Sequence, residues 1–299
     1  MFVVKYRKIF FALSAILLAL SFYGMRTYGF DLSIDFKGGT LTEVKYTGTL
    51  PTLDELNTKI SALEIGGFSV RPSGTTNFII RTKELSQSER DALVQAINGP
   101  TASSTIERQN TIGPIAGAEL KSKAMKAIAV VVLMIMLFIT FAFRKVSKPV
   151  SSWKFGFATI IALAHDVIIP TGVFVFLGHF KGIEIDLLFV TGLLAILGYS
   201  VHDTIVVFDR VRENLKINRD TNNKEEFEAT VGKSVAQTFG RSINTSLTIF
   251  ITLLALFLVG SGATKDFALL LIVGIIVGTY SSIFVASPLL VTFQKWQKK

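Results

Sequence analysis

The run 198–210 reads Gly-Tyr-Ser-Val-His-Asp-Thr-Ile-Val-Val-Phe-Asp-Arg, placing an ionisable pair, His202 and Asp203, inside an apolar stretch long enough to cross a bilayer. A charged side chain near the membrane centre costs about 2.5 kcal/mol or more even on a lenient insertion scale, so by default such a carboxylate marks an ion or proton pathway. A second pair, His165-Asp166, lies in another apolar block. For that pair a structural role is as open as a proton-coupling one, because His165 could satisfy a backbone group freed by Pro170.

The elements that position these residues are long and hydrophobic. Half of the 299 residues are apolar and the mean hydropathy is +0.51. Apolar residues cluster in blocks near 9–25, 124–143, 155–177, 187–208, 243–259 and 267–293, each close to the ~20 residues a spanning helix needs. The expectation is a polytopic α-helical membrane protein with six transmembrane helices. No small-x-small cleavage signature follows Met25, so the first block is expected to be a retained anchor and not a signal peptide.

Basic residues give an orientation. Lys5, Arg7 and Lys8 precede the first block, and Arg144, Lys145, Lys148 and Lys154 lie between the second and third. Arg210, Arg212, Lys216, Arg219, Lys224 and Lys233 follow the fourth, and Lys295, Lys298 and Lys299 end the chain. The alternate short connections hold only Lys181 and Lys265. The positive-inside rule then puts both termini and a 209–241 loop in the cytoplasm and exports residues 29–122. Much of the net charge of +9 is accounted for as topology signal and contact with anionic lipid, with no nucleic-acid footprint.

Arg241, Asn244 or Thr245, and Thr248 share one side of a helix at the start of the fifth block. Asp203 is expected about six residues, or ~9 Å, before the same membrane face. An Asp203–Arg241 contact is therefore the natural pairing. It would keep Asp203 ionised while Arg241 is near and let it take a proton when Arg241 is away, since desolvation disfavours the charge and a cation favours it. The competing account is a fixed ion pair holding two helices together. Gly274 and Gly278, continued by Ser282 and Ala286, form a small-residue face suited to close helix packing.

The exported stretch alternates strand and helix signals. Residues 41–46 and 77–83 read as strands, with 68–72 and 105–110 beside them. Thr52 with Glu55 and Ser86 with Glu89 are capping boxes opening two helices, the second ending at Asn98-Gly99-Pro100. The order β-α-β-β-α-β predicts one ferredoxin-like α+β domain between the first two membrane helices. The divisions are therefore 1–28, 29–122 and 123–299.

Several chemistries find no support. Gly232-Lys233-Ser234 imitates the end of a phosphate loop, but Phe227 stands where its first glycine should be. The chain has no cysteine and only three histidines, with no ligand spacing for a metal, no nucleophile elbow and no cofactor fingerprint. No enzyme activity or cofactor is expected.

Asp35-Phe36-Lys37-Gly38-Gly39-Thr40, Glu107-Arg108 with Ile112-Gly113-Pro114, the run 202–214 and Arg241-Ser242-Ile243-Asn244-Thr245-Ser246 together resemble the SecD/SecF family of bacterial protein-export membrane subunits, most closely its SecF branch. The match covers nearly the whole chain in order. The resemblance implies half of an RND-type transporter in the inner membrane, paired with a SecD-like membrane protein and working beside the SecYEG channel and SecA motor. It would use the proton-motive force to help draw out or release exported polypeptides. The family's intramembrane aspartate and arginine map onto Asp203 and Arg241. The residue before that aspartate is more usually asparagine, and His202 here could tune Asp203 or carry protons itself. The alternative is a self-sufficient RND-like exporter of a small or lipidic solute, disfavoured because six spans with no internal repeat supply only one half.

Overall fold

The computed structural model describes residues 2–98, 102–144 and 151–297. Chain order is α1 (Phe2–Lys5), α2 (Arg7–Tyr28), α3 (Ile34–Lys37), β1 (Gly39–Gly48), α4 (Leu53–Ser61), β2 (Phe68–Ser73), β3 (Asn77–Thr82), α5 (Gln87–Ile97), β4 (Ala102–Ile112), α6 (Pro114–Ala142), α7 (Ser152–Lys181), α8 (Leu187–Asp220), α9 (Phe227–Val259), α10 (Gly262–Ser281), a π-helical turn (Ser282–Ala286) and α11 (Ser287–Gln297). Gly99, Pro100, Lys145, Lys148, Lys298 and Lys299 lie outside the described residues.

Among the described residues six helices are long and apolar enough to cross a membrane: α2, α6, α7, α8, α9 and the run from α10 into α11. Buried residues concentrate on α7, α8 and the last span, while α2, α6 and α9 leave most of their surface uncovered. The inner three thus make the centre of the bundle. The π turn precedes Pro288, which has no N–H to return to the Phe284 carbonyl, and the Ser287 hydroxyl donates back to the Ser282 carbonyl at 3.0 Å.

Between α2 and α6 stands a four-stranded sheet in the order β2-β3-β1-β4. Every neighbouring pair is antiparallel, with a bulge at Glu107 of β4 opposite Glu43 and Val44 of β1. Both capping boxes form: Thr52 and Glu55 exchange bonds at 3.0 and 3.2 Å, and Glu89 Oε2 accepts from the Ser86 N–H at 2.8 Å. Helices α4 and α5 bury Leu56, Ile60, Leu93 and Ile97 against Val44, Tyr46, Phe78 and Ile80 of the sheet. This core is separate from those of the bundle.

A neck of glycines joins the two parts. Gly39 holds φ +133°, and a Cβ there would stand 2.4 Å from the Thr82 carbonyl oxygen. A Cβ on Gly38 would meet the Pro114 backbone at 2.8 Å, and one on Gly117 the Gly38 nitrogen at 2.9 Å. The chain entering the sheet and the chain leaving it therefore cross in backbone contact, which no larger residue permits. The segment after α2 also zips onto the α7–α8 link, through Ile185 N–H to Asp31 O at 2.7 Å and Ser33 N–H to Ile185 O at 2.9 Å.

The expected 209–241 loop is mostly helix. Helix α8 continues to Asp220 and α9 starts at Phe227, leaving only a short turn between. Polar pairs stitch this hairpin together, with Asn214 Nδ2 donating to Ser234 Oγ and to Gln237 Oε1, both at 2.9 Å. Charge density had masked an amphipathic 3.6-residue period. At this end of the bundle Arg7 and Lys295 both pair with Glu228, the former at 2.7 Å, gathering both ends of the described chain opposite the sheet.

A fragment spanning 38–113 should be soluble and unfold in one cooperative transition, and Leu56→Ala should destabilise it by about 2–5 kcal/mol. Chemical denaturation followed by circular dichroism measures both. A fragment without a cooperative transition would show that the sheet depends on the bundle.

Candidate functional site

The bundle centre sets two acidic side chains, on α7 and α8, among hydroxyls from α8, α9, α10 and the π turn. Asp166 lies near the middle of α7, fully buried. Its Oδ2 accepts from Ser200 Oγ of α8 and from Ser281 Oγ of α10, the latter at 2.7 Å, while Oδ1 lies 2.9 Å from His165 Nδ1. Three donors from three helices satisfy the carboxylate, as a buried charge requires. His165 therefore turns to its neighbouring carboxylate and not to the backbone freed by Pro170. Its Nε2 is buried without a partner, and its ring stacks on Tyr280 at 5.9 Å.

Asp203 is one face-turn further along α8. Oδ1 accepts from Ser242 Oγ of α9 at 2.5 Å, and Oδ2 is buried with no hydrogen-bond partner. Ser282, at the head of the π turn, lies beside this carboxylate. Its hydroxyl shares a 2.8 Å bond with Thr204 and donates to the Ser200 carbonyl at 3.3 Å. Ser200 and Ser282 thus lie between the two carboxylates, next to a break in regular helix geometry.

The expected Asp203–Arg241 contact does not occur among the described ion pairs; Ser242 takes the place assigned to Arg241. The reason is helical geometry. Successive residues project about 100° apart, so an α9 that turns Ser242 inward turns Arg241 outward. Arg241, Asn244, Thr245 and Thr248 are all exposed, with the threonine hydroxyls returned to carbonyls one turn back. His202 is exposed as well. The inward stripe of α9 is instead Ser242 and Ser246, where Ser246 Oγ meets Tyr199 Oη at 2.5 Å and Thr279 Oγ1 at 2.6 Å. Sequence reasoning missed this hydroxyl cluster, although the four-residue spacing of Ser242 and Ser246 carried the signal.

Gly274 and Gly278 face α8. A Cβ on Gly274 would stand 2.2 Å from Ile196 Cδ1, and one on Gly278 3.2 Å from Ser200 Cβ. Their small size lets α10 approach closely enough for Ser281 and Ser282 to reach Asp166 and Thr204. Among the described residues no three His, Cys, Asp or Glu side chains converge as metal donors.

This arrangement has counterparts of known family. The model for "Protein export membrane protein SecD/SecF, C-terminal" matches residues 93–296, and that for the "SecD/SecF GG Motif" matches residues 27–49, the glycine neck. The protein translocase subunit SecF of Thermobaculum terrenum is 38% identical over 312 residues, covering 99% of this chain and 94% of the relative. The protein translocase subunit SecDF of Thermus thermophilus is 36% identical over 280 residues, covering 90% of this chain but 35% of the relative. The crystal structure of SecDF, described as a translocon-associated membrane protein, superposes with a TM-score of 0.85 at 32% identity, over 99% of this chain and 38% of that one.

Gly274→Leu should separate α8 from α10 and lower the thermal stability of the purified protein, while Gly198→Leu, whose Cβ position is open, should be tolerated. Equal melting temperatures for the two variants would show that the α8–α10 approach carries no constraint.

Proposed function

The chain belongs to the SecD/SecF family of protein-export membrane proteins, and we propose that it is an auxiliary subunit of the Sec translocase that spends the proton-motive force, with a SecD-like partner, on late-stage translocation and release of exported polypeptides. The observation that carries this reading is the unpaired, buried Oδ2 of Asp203 beside an exposed polar stripe on α9. A carboxylate oxygen left without a donor in a membrane span is poised to take a proton. Arg241, Asn244, Thr245 and Thr248 are too polar to rest against lipid, so a second chain must cover them.

Asp203 is the principal proton-coupling residue in this proposal. Arg241 is its charge partner in a second state, reached when α9 rotates or the partner half closes on it, and His202 faces the same partner. Asp166 is a secondary coupling site through Ser200 and Ser282. The partner is a SecD-like half: the relative named SecDF holds a region like this chain within a polypeptide of which it makes up 35%. The SecYEG channel, the SecA motor and an emerging polypeptide complete the setting. The basic residues favour an inner-membrane orientation with the termini and the α8–α9 hairpin in the cytoplasm. The sheet, with the ferredoxin-like strand order, is then on the exported side, where it can meet substrate.

The driving force is adequate. One charge crossing the membrane is worth ~2.3 kcal/mol per 100 mV, enough to shift a two-state equilibrium about 50-fold. Asp203→Asn keeps the shape and removes the proton site, so it should abolish the ionophore-sensitive component of translocation into inverted vesicles while insertion and partner binding persist. Arg241→Lys should be impaired less than Arg241→Met, because it keeps the charge while losing the planar fork. Full ionophore-sensitive export by Asp203→Asn vesicles would demote Asp203 to a structural residue.

Orientation has its own test. Single cysteines at the exposed positions Lys59 and Lys224 of this cysteine-free chain should label from opposite sides of the membrane, Lys59→Cys from outside. Labelling from one side would overturn the topology.

A further inference from the structure

The sheet face turned away from α4 and α5 carries two arginines, and each holds a different part of the bundle. Arg81 Nε of β3 stands 2.7 Å from Glu184 Oε2 in the α7–α8 link, with side chains only 14% and 10% exposed. Arg71 of β2 reaches both carboxylate oxygens of Asp266, in α10, at 3.0 and 3.4 Å, and donates to the Gly182 carbonyl at 3.1 Å. The α8 end is also pinned from the neck, where Asp35 Oδ2 accepts from the Leu187 N–H at 2.8 Å, and it is capped by its own Asp186, whose Oδ1 accepts from the Phe189 N–H at 2.7 Å. Helix α8 then runs down to Asp203, and α10 to Ser281 and the π turn.

The two arginines therefore grip the near ends of the two helices whose far parts meet around the carboxylates. We propose that Arg81–Glu184 and Arg71–Asp266 form a clasp that carries movement of α8 and α10 to the sheet domain, and that the clasp tightens when Glu184 binds a proton from the surrounding water. It deepens the proton-coupled reading above by naming the residues through which the outer domain would be moved.

Glu184 is faced by Arg81 of β3, Arg71 of β2, Lys37 of α3 and Asp31 from the segment after α2. Burial pushes its carboxyl up to about 7, against the pull of Arg81, with Asp31 adding to the rise. Undocked and solvated, the same side chain would titrate near the ordinary 4.5. Between those values the docked state binds more protons than the undocked one, so docking is at full strength at the acid end and is lost as pH rises through about 7. The Arg81 Nε–Glu184 Oε2 contact is an ion-pair approach in which neither atom has a hydrogen-bond partner, so protonating the buried carboxyl removes its desolvation penalty without breaking a hydrogen bond. Asp31 and Asp186 also face Arg81, so the guanidinium keeps counter-charge when Glu184 is neutral. An acidic exterior, the condition under which protons flow inward, is thus the condition that couples the sheet most firmly to the helices.

The test uses the full chain in anionic-lipid nanodiscs, with nitroxides on Lys59→Cys and Thr264→Cys, both exposed positions. Distance distributions are recorded by pulsed electron resonance between about pH 5 and about pH 8.5 without a gradient. The wild-type background should give one narrow distribution at the acid end, and a longer, broader population should grow severalfold as pH passes about 7. Glu184→Gln, a permanent mimic of the protonated carboxyl, should stay narrow throughout. Glu184→Ala, which removes the side chain that Arg81 packs against in the α7–α8 link, should show the broad population even in acid. A wild-type distribution that ignores pH, or a Glu184→Ala distribution that matches wild type, overturns the clasp. Asp203→Asn separates the two readings: it should leave this pH response intact while losing ionophore-sensitive export. Normal export by Asp203→Asn sinks the proton-coupling reading and leaves the clasp standing.

Discussion

A carboxylate inside a bilayer must be solvated by protein, because no water is there to do it, and Asp166 shows what that constraint builds. Its oxygens draw a serine from α8, a serine from α10 and the histidine beside it on α7 into one cluster. Breaking such a cluster by removing one partner leaves a buried charge short of donors, so the three inner helices are held in one relative position. Gly274 and Gly278 are the steric condition for it, since the serines reach only if α10 lies against Ile196 and Ser200. The π turn that follows Ser281 places Ser282 between this cluster and Asp203.

Asp203 differs from Asp166 in what it lacks. One oxygen is held by Ser242 and the other has no donor, while the cation expected nearby faces outward among polar neighbours. A well-satisfied carboxylate and a half-satisfied one suit different tasks: the first holds three helices together, and the second is the one the proposed coupling would use. The outward stripe on α9 belongs to the same logic, since polar groups in a membrane span find their partners in protein, and the proposed partner half would supply them for Arg241 and Asn244.

At the opposite end of the bundle, two guanidinium groups and a glycine neck bind the sheet to the helices. The neck fixes where the chain crosses, through backbone contacts that exclude any Cβ at Gly38 or Gly39. The arginines fix how the sheet lies over the helix ends. In the proposed coupling, Asp203 and the sheet are separated by the length of α8, a rigid element that would join them mechanically without a continuous chain of polar contacts.

Much of this was legible in the residues. Six long apolar blocks, two capping boxes and the β-α-β-β-α-β order follow from local rules, since bilayer thickness, helix caps and strand alternation act over a few residues at a time. The intramembrane position of Asp203 and Asp166 was legible for the same reason. What only the tertiary structure decided was rotation and reach. Whether Ser242 or Arg241 faces Asp203 depends on a turn of about 100° in α9, and the spacing of Ser242 and Ser246 marks one polar stripe beside that of Arg241 without choosing between them, a choice that packing against α8 and α10 makes. The extension of α8 to Asp220 required the Asn214–Ser234 and Asn214–Gln237 pairings across a hairpin, contacts that a charge count reads as a loop. Arg71 and Arg81 looked like ordinary strand arginines, and their partners Asp266 and Glu184 lie more than a hundred residues away, a separation that only the folded chain closes.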